Sequence, residues 1–240
     1  MSLLRLQPRH HLQSHPQPLN AAMSSFLQIP AAPPLSTFAR WPEERLKASR
    51  EEALKQWRNT EDVWVFGYGS LIWKPEFDFI EQRPATLPGH HRALCLWSRI
   101  NRGTPELPGL VFGLEAGGEC HGMAFRLAAN TVAPIFETLW RREMATGAYH
   151  PSWIDCQTKD GTVKALAFVI DQAGPAYVSE PPEDALIEIV LRASGIYGSC
   201  LEYVTQTADA LEAVGIHDVR LTALVTRLKI KLQQGQHTLS

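Results

Sequence analysis

Trp64-Val65-Phe66-Gly67-Tyr68-Gly69-Ser70-Leu71-Ile72-Trp73 carries an apolar, strand-like run straight into a loop with glycines at alternate positions, and out onto an aromatic. Glycines spaced this way let a backbone turn sharply and bring its N–H groups against a ligand. The spacing excludes two familiar cradles. A dinucleotide fingerprint requires a third glycine three residues after the second, then a helix; position 72 is Ile, and Trp73-Lys74-Pro75 is a poor helix opening. A phosphate-binding P-loop requires Gly-Lys-Ser/Thr after a longer spacer, which is absent. Taken alone, the run reads equally as a ligand cradle and as a tight turn between strands.

The pattern around it is that of an α+β domain. Residues 63–66 read as a first buried strand and 91–97 as a second. Residues 110–114 and 120–127 flank Gly117-Gly118, which predicts a hairpin with Glu115 and Glu119 facing solvent at its turn. Residues 162–170 follow Asp160-Gly161, a second hairpin signal, with Asp155 and its neighbours as the partner strand. Helical patterns occupy 132–144, 182–194, 201–214 and 221–232. Hairpins with one inserted helix and helices gathered at the end are not alternating βαβ units. Strands of this number and length suit a small barrel.

Composition narrows the function. The 240 residues, 45% hydrophobic with seven Trp, supply a real core in one large or two small domains. With a formal net charge of -2 and scattered basic residues, nothing suggests a polyanion such as nucleic acid, and the expectation is no nucleic-acid partner. No apolar run is long enough to span a membrane and no signal-type run follows the start, which fits a cytoplasmic protein. Cys95, Cys120, Cys156 and Cys200 make no Cys-x-x-Cys pair and read as reduced core thiols. The histidines show no metal spacing, so the expectation is no metal and no cofactor. Residues 1–42 carry Arg5, Arg9 and Arg40 but no acid, and read as a flexible extension, with Met23 an internal start candidate. Residues 43–61 read as a charged helix and linker, 62–232 as the main domain and 233–240 as a tail. Nothing assigns an oligomeric state.

One side chain breaks the apolar logic. In the predicted helix over 132–144, Val132, Ile135, Phe136, Leu139 and Trp140 form a one-faced stripe at offsets 0, 3, 4, 7 and 8. Offset 11 is Glu143, and eleven steps of 100° return to within about 20° of the start. A carboxylate therefore continues the buried face. Burial raises its pKa, and the carbonyl end of the helix dipole pushes the same way. Such a group suits general acid/base work. The pattern equally fits a Glu paired with Arg141 or Arg142, or a frayed helix end before Gly147.

Several motifs together extend the reading. The string from Trp64 to Trp73 resembles the signature of the ChaC-like, glutathione-specific γ-glutamylcyclotransferases. Arg142-Glu143-Met144 with Gly147-Ala148-Tyr149 is similar to that family's catalytic segment, as is Arg102-Gly103-Thr104-Pro105 with Pro108-Gly109. Gly198-Ser199-Cys200-Leu201-Glu202-Tyr203 and Gly215-Ile216-His217-Asp218 also resemble the family, so the likeness covers roughly residues 62–231. Leu107 departs from the pattern, standing where related chains often carry Arg.

The resemblance implies a small mixed β-barrel with helices packed around it, and a cofactor-free amide lyase that converts glutathione to 5-oxoproline and Cys-Gly. It implies that Tyr68, Gly69, Ser70 and Leu71 hold the γ-glutamyl group, with Gly67 and Ile72 at the edges, and that Glu143 is the proton acceptor. Arg102 is a candidate for the glycine carboxylate; Tyr149 and Tyr203 are candidates for the pocket lining. Other γ-glutamyl compounds are the alternative substrates. A Ser70-dependent amidohydrolase or transferase, and a non-catalytic binding module, are the rival classes.

Overall fold

The computed structural model describes residues 31–237. The expectation of flexibility thus lies outside the described residues for 1–30, with Met23, and so do 238–240 of the tail. Five strands close a barrel in the order β1-β3-β2-β4-β5: β1 (Val63–Gly67), β2 (Glu81–Ser98), β3 (Gly109–Leu127), β4 (Tyr149–Thr158) and β5 (Gly161–Ile170). Neighbours are antiparallel except at the seam, where β1 lies parallel to β5 through Trp64↔Ala165 and Val65↔Leu166. Six helices surround it: α1 (Glu43–Ala53), α2 (Ser70–Trp73), α3 (Val132–Glu143), α4 (Glu183–Arg192), α5 (Cys200–Ala213) and α6 (Val219–His237). A two-residue hairpin, β6 (Ser194–Gly195) and β7 (Gly198–Ser199), joins α4 to α5. The expected α+β barrel is present.

The predicted Asp160-Gly161 hairpin forms between β4 and β5, with Thr158 opposite Gly161. The predicted hairpin at Gly117-Gly118 does not. Residues 110–114 and 120–127 belong to one strand, β3, and both halves pair with β2 rather than with each other. Gly117 and Gly118, at φ 99° and 71°, lie opposite Gly89, at φ 79°, where the register shifts. The glycine pair makes a bulge that bends a long ladder. In consequence Glu115 stays in the ladder and is buried, opposite His91 on β2, while Glu119 is exposed.

The core has two parts. One fills the barrel and extends under α4, α5 and α6, from Phe66 and Leu94 to Val204 and Leu228. The other lies between the outer faces of β1 and β5 and helix α3, with Val65, Leu166 and Phe168 against Phe136 and Trp140. Buried on both sides, β1 needs the continuous apolar run it has. All four cysteines are free and buried.

Residues ahead of the domain are packed against it. Phe38 is buried in the barrel-side core, and Leu46 of α1 joins the core under α3. The Trp41 amide donates to the Ala145 carbonyl at 2.7 Å, the Trp140 indole to Ser49 Oγ at 3.3 Å, and the Trp153 indole to the Ala53 carbonyl at 2.8 Å. Gly147, at φ 71°, stops the chain after α3, and a Cβ there would collide with the Trp41 ring. Among the described residues no helix is long and apolar enough to cross a membrane, and no three His, Cys, Asp or Glu are grouped to hold a metal ion.

Candidate active site

The loop after β1 is shaped by contacts that leave no room for a side chain. A Cβ on Gly67 would lie 3.0 Å from Leu71 Cβ and 3.1 Å from the Phe125 ring, and one on Gly69 would lie 2.9 Å from the Tyr203 hydroxyl. Gly69, at φ -133° and ψ -126°, ends the strand direction and opens the single turn of α2. Its carbonyl accepts from the Ile72 amide at 3.0 Å. The opening amides of a helix have no partner within it, so the turn can present N–H groups to an anion or carbonyl. Leu71 is buried in the core under α3, and Ile72 packs against the barrel-side core. What these two can offer a ligand is main chain.

The C-terminus of α3 comes up beside this turn. Arg142 Nη2 donates to Ser70 Oγ at 2.9 Å, and Nη1 donates to the Lys74 carbonyl at 2.6 Å and to Glu76 Oε2 at 2.9 Å. Its Nε lies 3.0 Å from Glu143 Oε1. Glu143 is therefore both on the buried face and paired with Arg142. Its side chain is 17% exposed. Burial pushes its carboxyl above the ordinary value of 4.5; Arg142 opposes that shift and Glu76 adds to it.

Three tyrosines surround the carboxylate electrostatically. Tyr68, Tyr149 and Tyr203 are each pushed above the ordinary phenol value by burial first, and Glu143 contributes to all three shifts. The Tyr68 hydroxyl donates to the Phe168 carbonyl at 2.8 Å and the Tyr149 hydroxyl to the Phe112 carbonyl at 3.2 Å. The Tyr203 hydroxyl accepts from the Phe112 amide at 3.2 Å. Arg102 completes the group. It is buried, its guanidinium lies 5.3 Å from the Tyr203 ring and 5.8 Å from that of Trp73, and it donates to the Ser199 carbonyl at 3.3 Å. It forms no ion pair among the described residues, which is unusual for a buried guanidinium.

Each candidate from the sequence thus falls in one neighbourhood, with Gly67, Leu71 and Ile72 shaping it from behind. Two contributors escaped the sequence reading. Arg142 appeared there as a partner for Glu143 and within the Arg142-Glu143-Met144 motif, not as the clamp on Ser70 and the residues after it. Arg92 was missed altogether: it is buried, its Nε donates to the Tyr68 carbonyl at 2.6 Å, and it pairs with Asp218. The signal for Arg92 was a lone charge beside the apolar run 93–97.

A cleft of about 360 Å³ between the β2–β3 face and helices α4 and α6 also borders on Arg92 and Phe112. Its charges are already matched as Arg92–Asp218, Arg220–Glu180 and Arg227–Glu183. At Glu143, by contrast, a carboxylate, three phenols and an ion-pair-free guanidinium converge.

Comparison with known proteins gives the family and the fold. A family model described as ChaC-like protein matches residues 63–231. A glutathione-specific γ-glutamylcyclotransferase of Escherichia coli is 36% identical over 196 residues, covering 81% of this chain and 85% of that protein. The human glutathione-specific γ-glutamylcyclotransferase 1 is 31% identical over 170 residues, covering 68% and 77%. A crystal structure of a glutathione-specific γ-glutamylcyclotransferase from yeast superposes with a TM-score of 0.64 at 21% identity, covering 70% of this chain and 96% of that one. That last likeness carries the fold.

Proposed function

We propose, since the chain belongs to the ChaC-like protein family, that it is a glutathione-specific γ-glutamylcyclotransferase. It converts glutathione to 5-oxoproline and Cys-Gly. The substrate holds both reactants. Its α-amine attacks its own γ-amide carbon, a five-membered lactam closes and the Cys-Gly amine leaves. Intramolecular alignment of this kind supplies effective molarities of about 10⁵ M or more. Glu143 takes a proton from the attacking nitrogen and returns one to the leaving nitrogen, a contribution on the order of 10²- to 10⁴-fold.

The observation that carries this reading is a carboxylate withdrawn from water, with a raised pKa, beside a glycine-shaped turn. The turn from Tyr68 to Leu71 holds the glutamyl group through its main chain. Arg102, buried without a carboxylate partner, receives the glycine carboxylate of the tripeptide. Ser70 as a nucleophile is disfavoured, because the side chain bonded to its oxygen is the Arg142 guanidinium, a permanent cation that cannot serve as its general base.

The test is product analysis by mass spectrometry. The wild-type chain should release 5-oxoproline from glutathione; free glutamate, one water heavier, would mark a hydrolase instead. Glu143→Gln should fold and lose lactam release, and near-normal turnover would remove Glu143 from the mechanism. Arg102→Gln should raise KM for glutathione while leaving KM for a γ-glutamyl amide without the glycine carboxylate unchanged; equal effects on both would remove that contact.

A further inference from the structure

Closing the lactam turns the γ-carbonyl oxygen into an oxyanion, and that charge needs a donor the base cannot be. Glu143 is occupied with the two nitrogens. The three buried phenols are the nearby candidates, and their hydrogen bonds separate them. Tyr68 gives its proton to the Phe168 carbonyl, and Tyr149 gives its proton to the Phe112 carbonyl. Tyr203 is different. Its oxygen receives the Phe112 amide, and its own proton is given to no acceptor among the described residues. A hydroxyl that accepts one bond is a stronger donor for the next.

Its position fits. The Tyr203 oxygen would lie 2.9 Å from a Cβ on Gly69, so it touches the turn that holds the glutamyl group. The capping box of Ser199 and Glu202 at the start of α5 fixes the helix that presents it. The Arg102 guanidinium over its ring favours charge build-up on that side of the pocket.

We propose that the Tyr203 hydroxyl is the hydrogen-bond donor to the oxyanion formed in cyclisation. The inference rests on the cyclotransferase reading above. The amine lone pair forms the new C–N bond, and the carbonyl π pair moves onto oxygen, where it accepts the Tyr203 O–H without proton transfer. The oxygen pair then re-forms the carbonyl as the C–N bond to Cys-Gly breaks, and Glu143 protonates the departing nitrogen.

The experiment is Tyr203→Phe in the full chain, assayed with glutathione and with a γ-glutamyl anilide whose leaving amine needs little protonation. The expected result is a kcat loss of roughly 10²- to 10³-fold, as for removal of one oxyanion donor, equal for both substrates, with KM nearly unchanged and the thermal midpoint retained. A rise in KM with kcat retained would assign Tyr203 a lining role and overturn the proposal. Wild-type turnover of the anilide would make Tyr203 the acid for the leaving group and overturn it too. If Tyr203→Phe does not fold, 3-fluorotyrosine at position 203 keeps the shape and acidifies the phenol. The stronger donor should then retain or raise kcat at neutral pH with KM unchanged, and a kcat loss as large as that expected for Tyr203→Phe overturns the proposal. If the wild-type chain releases no 5-oxoproline, the cyclotransferase reading itself falls and takes this role with it.

Discussion

Arg92 and Arg142 grip the same segment from two sides and are built differently. Arg92 comes from the barrel wall. Its side chain is 3% exposed, it pairs with Asp218 just before α6, and it donates to the carbonyls of Tyr68 and His121. Arg142 comes from the end of α3. Its side chain is 23% exposed, and its contacts run to Ser70, the stretch from Lys74 to Glu76, and Glu143. The buried arginine has no charge to share with the chemistry; it fixes where the turn begins. The half-buried one touches the Glu143 carboxylate, and its charge holds that carboxyl lower than burial alone would. Depth divides scaffolding from tuning.

The sharpest way to break this contrast is Arg92→Met. It leaves Asp218 and two carbonyls without their partner, and breaking a buried pair costs about 3–5 kcal/mol. Urea unfolding should show that loss, with Asp218→Asn in the same chain recovering part of it. A loss below about 1 kcal/mol would make Arg92 an ordinary surface-type pair.

Arg142→Gln should act on the other side of the divide. Removing the guanidinium deletes the one influence that lowers the Glu143 carboxyl. Its pKa rises, and since the proposed base must be ionised, the acid limb of kcat/KM moves to higher pH. Stability should change by no more than about 1 kcal/mol, as for a partly exposed pair. An unmoved acid limb in the pH–rate profile would mean that Arg142 only clamps.

The smallest effect is on folding. Glu143 has its pKa raised on folding, so its contribution to stability is greatest below its unfolded value and declines as pH rises through the folded value. Glu143→Gln should therefore unfold at a higher temperature than wild type at neutral pH. The gap should close as the pH falls below the ordinary value of 4.5. A gap that stays constant with pH in thermal melts would mean that Arg142 fully offsets the burial.

Local chemistry made the readable parts readable. The turn after β1 is a contiguous string, and Glu143 sits on a stripe within one helix, so a window of a dozen residues carries both. The hairpin at Gly117-Gly118 was misread because glycines with positive φ serve a tight turn and a bulge alike; only the partner strand tells them apart. The first half of β2 was missed because Pro84 and Pro88 argue against a strand. There β2 meets β4 through Ala85 and Thr86 alone, and proline is tolerated along so sparsely paired a flank. Arg92 could not be assigned because its partner lies 126 residues further on.

The seam has a consequence for synthesis. The Tyr68 hydroxyl bonds a carbonyl 100 residues downstream, β1 completes the barrel only against β5, and the anchor of the turn, Asp218, comes later still. A chain emerging from the ribosome therefore displays its glycine motif early and completes the contacts that hold it only when nearly the whole polypeptide has been made. A fragment that ends before Asp218 lacks the partner of Arg92 and the helix that follows it, so the turn after β1 gains its last support only late in synthesis.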